Sequence, residues 1–319
     1  MSLFLGEDIR MNWERLKVFH QVARAGSFTN AAFQMNISQS SLSRTIMQLE
    51  HELKTRLFHR LPHGLEPTSQ GKNLYTVTTR MFYEAEAVEN LFTQEKNDPA
   101  GLLRIITTIS LASMWFPYYT LGFYEKYPNM RLVITGNDNN LDLNLRQTDV
   151  SIRTFIPHQP DLIQNYLITF IPKFFASRDY LKNHGEPKTI EDLDNHRLLT
   201  YADYHVHPYG NSLHWILNAG RTMENLRKPF LRVNTGPALL KMAEQGMGIL
   251  AMSDQYPAVQ ESSLIPILQE YEGPGTKLYY SYPKQMKGFK RIEVLNTYLQ
   301  EVFTTKKTQA GSKIAQELQ

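Results

Sequence analysis

The chain contains no cysteine. Disulfides, thiol nucleophiles and thiolate-bound metals are therefore excluded, and a reducing compartment fits. No apolar run reaches about 18 residues, the length at which a membrane-spanning helix is read. The N-terminal stretch carries Glu7 and Asp8 and lacks a long apolar segment, so it does not read as a secretory signal. No Walker motif, paired carboxylates or Ser/His/Asp order stands out. Gly246-Met247-Gly248 is too short for a phosphate loop and reads as a helix end before a strand. The expectation is a cytoplasmic protein that is not an enzyme, with no catalytic residue, cofactor or metal site assigned.

What is present is an ordinary globular balance. The 319 residues are 42% apolar and 20% charged, enough for two or three domains. Net charge is only +3, but it is unevenly placed. Between Arg10 and Lys72 stand nine basic residues and four acidic ones, a surplus of +5, with four histidines besides. Glu7 and Asp8 subtract two, leaving residues 73–319 neutral. A basic head on a neutral body points to a polyanion as partner of the head.

Trp13, Leu16, Phe19 and Val22 predict a helix with a buried stripe, ended by Gly26. Ser27 or Thr29 caps a second helix containing Ala31, Ala32 and Met35, and Asn36 breaks it. Ser38 caps a third, whose buried stripe is Leu42, Ile46, Leu49 and Leu53. The segment HRLPHGLEPT then reads as a turn between short extended arms. Three helices and a basic hairpin describe a winged helix-turn-helix over residues 11–68. Thr68 or Ser69 caps a longer helix within 69–97, where Leu74, Val77, Met81, Val88 and Leu91 repeat at near-heptad spacing, interrupted at Glu84. Such a seam needs a partner, either a second copy of the chain or its own C-terminal domain. Asn97, Asp98, Pro99 and Gly101 form a hinge.

Beyond the hinge, strands alternate with helices through 98–306, which predicts an α/β body with a parallel sheet. LLRIITTI, MRLVITG and DVSIR supply strands of one series, with a short helix before the last. KFFAS, HRLLTY, HWILNA, FLRVN and MGILAMS supply the second series, with helices from Ser177 and Thr235. KLYYSYP and a helix from Phe289 to about Lys306 close the chain. Two sublobes follow, about 101–160 plus 271–306 and 161–270, with a cleft between them.

The third helix carries the head's chemistry. Gln39, Ser40, Ser43, Arg44 and Met47 project away from its apolar stripe, most of them in the first two turns, which enter the major groove in helix-turn-helix docking. Gln pairs with adenine, Arg with guanine, and Ser with either. Ser38 and the helix N-terminus can meet a phosphate. Arg56, Arg60, His63 and Lys72 lie where backbone contacts are expected. In the body, Thr107 and Thr108 end a strand and Ser110 can cap the next helix, so hydroxyls and backbone donors converge on a receptor for a carboxylate or other small anion. Asn234 or Thr235 repeats the arrangement in the second sublobe. Arg153 and Thr154 follow a strand at a third cleft edge. Trp115 and Phe116 read as core or cleft wall, with an apolar component in the ligand. His205, His207 and His214 fit a solvated loop better than a metal site.

The stretch from Trp13 to Gly71 resembles the DNA-binding domain of LysR-type transcriptional regulators. The resemblance rests on Ala25, Ser27, Phe28, Thr29, Ala31, Ala32, Ser38-Gln39-Ser40, Ser43, Leu49-Glu50, Leu53, Leu57-Phe58, Arg60, Thr68 and Gly71. FPYYTLGFYEKYP, TDVSI and EQGMGIL extend it, at lower specificity, through the body. Four positions depart from the pattern: Ser40 stands where many relatives have proline, Lys54 where glycine is usual, His63 where arginine and Pro67 where leucine are frequent. The resemblance implies a ligand-responsive regulator on double-stranded promoter DNA, with an effector domain resembling periplasmic binding proteins. It implies AT-rich pseudo-palindromic sites, a homodimer held by the long helix, a homotetramer built from dimers, and RNA polymerase as a further partner. It places the effector between the sublobes, against Thr107, Thr108, Ser110, Arg153, Thr154 and Thr235.

Overall fold

A computed structural model of the chain describes residues 12–61, 64–93, 99–138, 148–202, 213–222 and 225–317. The chain divides near Asn97 into two compact units. The predicted hinge residues Asn97 and Asp98, the short helix before DVSIR, and His205 and His207 lie outside the described residues.

In the first unit, α1 (Trp13–Ala25) starts at Asn12, whose side chain accepts from the Glu14 amide at 2.9 Å. It ends at Gly26 in the left-handed region, φ 63°. Ser27, not Thr29, caps α2 (Phe28–Met35), and Asn36 closes that helix at φ 53°. Asn tolerates this conformation better than most residues. Ser38 caps α3 (Gln39–Glu52) by accepting from the Ser41 amide. Leu16, Phe19 and Val22 meet Leu42, Ile46 and Leu49 in one core that also takes in Leu57, Phe58 and Leu65. Each such side chain contributes about 1.5–3 kcal/mol of apolar burial. Trp13 does not join the predicted stripe. It is 40% exposed, and its ring leans on Phe82 at 4.7 Å.

Strands β1 (Phe58–Leu61) and β2 (Gly64–Pro67) pair antiparallel as the wing. Thr68 caps α4 (Ser69–Thr93), accepting from the Gly71 amide at 3.0 Å and donating to the Arg56 carbonyl at 2.7 Å. The predicted seam is only partly free. Leu74 and Met81 pack on the head's own core, while Val77 is 45% exposed. The side chains of Glu84, Val88 and Leu91 lie outside the described residues.

The second unit contains two five-stranded sheets among the described residues. Its first elements are β3 (Gly101–Thr107), α5 (Ile109–Met114), α6 (Phe116–Lys126), β4 (Met130–Gly136), β5 (Val150–Arg153) and β6 (Leu162–Phe170). The chain then crosses to the second sheet through β7 (Pro172–Ser177), α7 (Arg178–His184), β8 (Leu198–Tyr201), α8 (Trp215–Asn218), β9 (Leu231–Val233), α9 (Gly236–Glu244), β10 (Ile249–Ser253), α10 (Pro257–Gln260) and β11 (Leu264–Ile267). It returns through β12 (Thr276–Pro283) and ends in α11 (Lys290–Glu317). The sheet orders are β4-β3-β5-β12-β6 and β11-β7-β10-β8-β9.

Three expectations are corrected. The sheets are mixed, because β12 runs antiparallel to β5 and β6, and β7 to β10 and β11. Residues 161–170 belong to the first sublobe, since β6 pairs with β12 along its whole length. HWILNA forms α8 rather than a strand, with Ile216 and Leu217 buried in the second sublobe's core.

Candidate nucleic-acid interface and effector cleft

The core face of α3 fixes what the helix presents outward. With Leu42, Ile46 and Leu49 buried, Ser40, Arg44, Met47, Gln48 and His51 fall on the opposite side at helical spacing, and all are exposed. Gln39 is exposed on the flank and Ser43 is half-buried. The Ser38 hydroxyl is already used, capping Ser41 and lying 3.1 Å from the Ser40 hydroxyl. Arg56 is largely exposed beside the wing, its guanidinium 3.6 Å from Glu50. Arg60 lies on β1 with its side chain outside the described residues, as is the whole of His63.

The wing is tied to the helices at both strands. The Glu50 carboxylate accepts from the Leu57 and Phe58 amides at 2.7 and 3.3 Å. The Gly26 carbonyl accepts from the Leu65 amide at 3.0 Å. Lys54 occupies the left-handed region at φ 49°, which favours glycine. Gly71 is fixed for a different reason. A Cβ there would overlap the Leu57 carbonyl oxygen.

In the body, the carboxyl ends of β3, β4 and β5 lie side by side, the edge at which open α/β sheets place ligands. The predicted hydroxyls do gather there, but turned inward. Thr107, Thr108 and Ser110 are at most 1% exposed. Thr107 donates to the Ile152 carbonyl at 2.8 Å, and Thr108, rather than Ser110, caps α5 through the Leu111 amide. The Ile109 amide donates to Asp138 at 3.0 Å. The backbone donors expected to be unpaired are therefore in use at Ile109 and Leu111, and α5 is only six residues long. Arg153 is buried and donates to the Asn137 carbonyl at 3.2 Å. Thr154 is half-buried. Thr235 precedes α9 without a side-chain capping bond.

Trp115 is core, not cleft wall. It is 1% exposed, stacked on Phe303 at 4.6 Å and edge-on to Phe116. The apolar ligand component read from it loses its basis. His214 is not on a solvated loop. It is buried with Nδ1 3.3 Å from the Thr200 hydroxyl.

A family model described as the bacterial regulatory helix-turn-helix protein of the lysR family matches residues 13–72, and one described as the LysR substrate binding domain matches residues 96–304. The chain belongs to the LysR family of transcriptional regulators. It is 27% identical over 279 residues to the transcriptional regulator CrgA of Neisseria meningitidis, covering 86% of this chain and 92% of that one. The activator AaeR of Escherichia coli is 26% identical over 292 residues, covering 91% of this chain and 93% of its own. The solved structure of N. meningitidis CrgA matches at TM-score 0.56 and 26% identity, over 92% of this chain and 99% of that one. ArgP of Mycobacterium tuberculosis, at 16% identity and TM-score 0.67 over 92% of this chain and 98% of its own, shares the fold.

For this LysR-family chain, sequence reasoning under-weighted two groups. Gln48 and His51 extend the outward stripe on which Met47 was already placed, and the phase set by Leu42 and Ile46 suffices to find them. Tyr201 ends β8 with its hydroxyl 3.0 Å from that of Ser110. No local pattern marks it. Among the described residues no helix is long and apolar enough to cross a membrane.

Proposed function

We propose that the chain is a sequence-specific regulator whose promoter binding changes when a small molecule, an organic acid or another anion, enters the cleft of its body. Two heads read the half-sites of an AT-rich pseudo-palindrome, joined through α4 in a homodimer and, by pairing of dimers, a tetramer. RNA polymerase is the partner downstream. Gln39, Ser40, Ser43 and Arg44 face bases, with Ser38, Arg56, Arg60 and His63 toward the backbone. Thr107, Thr108, Ser110, Arg153, Thr154 and Thr235 surround the effector.

The observation that carries the DNA reading is Arg44, exposed on α3 directly opposite Leu42, Ile46 and Leu49 on a head of net +5. An arginine so placed reaches guanine O6 and N7. Arg44→Ala should weaken binding to a duplex selected from random sequence by about 1–3 kcal/mol and relax the selected consensus. Wild-type affinity should fall steeply between low and moderate salt as phosphate-bound counterions are released. An unaltered footprint in Arg44→Ala sinks the recognition-helix assignment.

A second reading, DNA binding without a small-molecule effector, is favoured by one observation. Thr107, Thr108 and Ser110 already have partners inside the protein. A thermal-shift series with small organic acids separates the two, since only a responsive cleft yields stabilisation that saturates with ligand.

A further inference from the structure

Ser110 stands on α5 of the first sublobe, and Tyr201 ends β8 of the second. Their hydroxyls lie 3.0 Å apart, and the two residues are 1% and 6% exposed. The contact is therefore a hydrogen bond between sublobes, shielded from competing water. Gly236, the first residue of α9, is the floor beneath it. A Cβ on Gly236 would overlap the Ser110 hydroxyl oxygen and come within 2.6 Å of the Tyr201 oxygen. Gly236 is not among the glycines at positive φ, so the backbone conformation does not demand glycine there. The space taken by the two hydroxyls does.

We propose that the Ser110–Tyr201 hydroxyl pair, seated on Gly236, is a latch that holds the two sublobes together in the ligand-free chain. Anything entering the cleft between α5 and α9 must part this pair. The identity of the entering ligand rests on the effector reading above, whereas the latch itself does not.

The chemistry of the pair narrows what can open it at little cost. In the latch a single hydrogen bond joins the two oxygens, so one hydroxyl donates and the other accepts. Once parted, both oxygens lose this bond, and a ligand that accepts from both hydroxyls compensates for it. A carboxylate offers two oxygens and can accept from both. A neutral apolar ligand would break the bond and replace nothing. Tyr201 thereby sets how much of a ligand's affinity goes into opening, since a ligand shifts an equilibrium only by its differential affinity for the two states.

The test is hydrogen–deuterium exchange on the full-length protein without ligand. Tyr201→Phe removes one oxygen and keeps the ring. Amides of α5 and α9 should exchange about fivefold faster, as loss of one shielded hydrogen bond implies, while those of α1–α3 stay unchanged as an internal control. Ser110→Ala removes the other oxygen and should give the same pattern. Gly236→Ala wedges the pair apart and should accelerate the same segments at least as much. If both oxygen deletions leave α5 and α9 at the wild-type rate, the latch is refuted, whether or not Gly236→Ala folds. A final arm adds benzoate to wild-type protein. Fast exchange in Tyr201→Phe with no response to benzoate or to other small acids supports the latch and counts against the effector reading. A saturating benzoate response with unchanged exchange in both deletions refutes the latch alone.

Discussion

Two helices of this chain open on runs of small hydroxyl side chains, and the two runs have opposite fates. At α3 the segment Ser38-Gln39-Ser40-Ser41 is exposed throughout, with only Ser38 engaged in capping. At α5 the segment Thr107-Thr108-Ile109-Ser110 has its three hydroxyls buried, Thr108 capping the helix and Thr107 and Ser110 bonded to distant parts of the body. The head holds its polar chemistry ready on a rigid surface, so a ligand can dock without rearranging it. The body holds similar chemistry in internal bonds, so a ligand must displace something. On the function proposed above, recognition and response use the same residue types, and burial separates the two.

The largest expected effects test whether head and body are independent. Gly71→Ala should lower the stability of the head by about 3 kcal/mol, because the new Cβ meets backbone rather than a side chain that can move aside. Gly248→Ala should do the same to the body, where its Cβ would overlap the Arg197 carbonyl oxygen. Calorimetry of the full chain should show each substitution lowering one transition. A common shift of both transitions by either variant would break the comparison.

Next in size is Glu50→Ala, which leaves the Leu57 and Phe58 amides without their acceptor and should cost the head about 2 kcal/mol. Urea titration with exchange readout on β1 measures it. Normal protection of β1 would show that the wing does not depend on the carboxylate.

A smaller effect depends on pH. His20 is buried between Tyr75 and Phe82 at ring separations of 5.1 and 4.8 Å. Burial, with a lesser contribution from the Arg24 charge, lowers its pKa to about 3. The unfolded chain therefore binds the proton more readily than the folded head between the ordinary histidine value and about 3. Head stability should be fully present above pH of about 6.5 and fall by at most about 1.4 kcal/mol per unit as pH drops toward 3. His20→Phe should flatten this slope in pH-dependent melting, whereas an unchanged slope would assign acid sensitivity to other groups. The smallest effect is a gain. Lys54→Gly should stabilise the head by about 1 kcal/mol, since glycine adopts the left-handed conformation without the steric cost. Equal urea midpoints for variant and wild type would mean that contacts of the lysine side chain offset it.

The head was legible because its determinants are local. Caps at Ser27 and Ser38, the left-handed Asn36 and the spacing of Leu42, Ile46 and Leu49 all act within a few residues of one another. The body was less so. HWILNA is a short apolar run whose periodicity cannot separate strand from helix, and tertiary packing chose the helix. Strand β6 was placed in the wrong sublobe because its partner, β12, lies more than a hundred residues later. The hydroxyls at the junction of β3 and α5 were read from the sequence, but their partners were not. Thr107 bonds 45 residues away and Ser110 bonds 91 residues away. Only the folded chain shows that a polar group already has a partner.

The ties at Glu50 and Gly26 have a mechanical consequence. One fastens β1 to the end of α3, and the other fastens β2 to the turn between α1 and α2. Moving the hairpin apart from the helices would break these bonds. On the DNA reading proposed above, helix and wing would meet a duplex as one unit, with their offset set by these ties. Adjustment to operators of different spacing then has to occur outside the head, or in the DNA, which must bend to meet it.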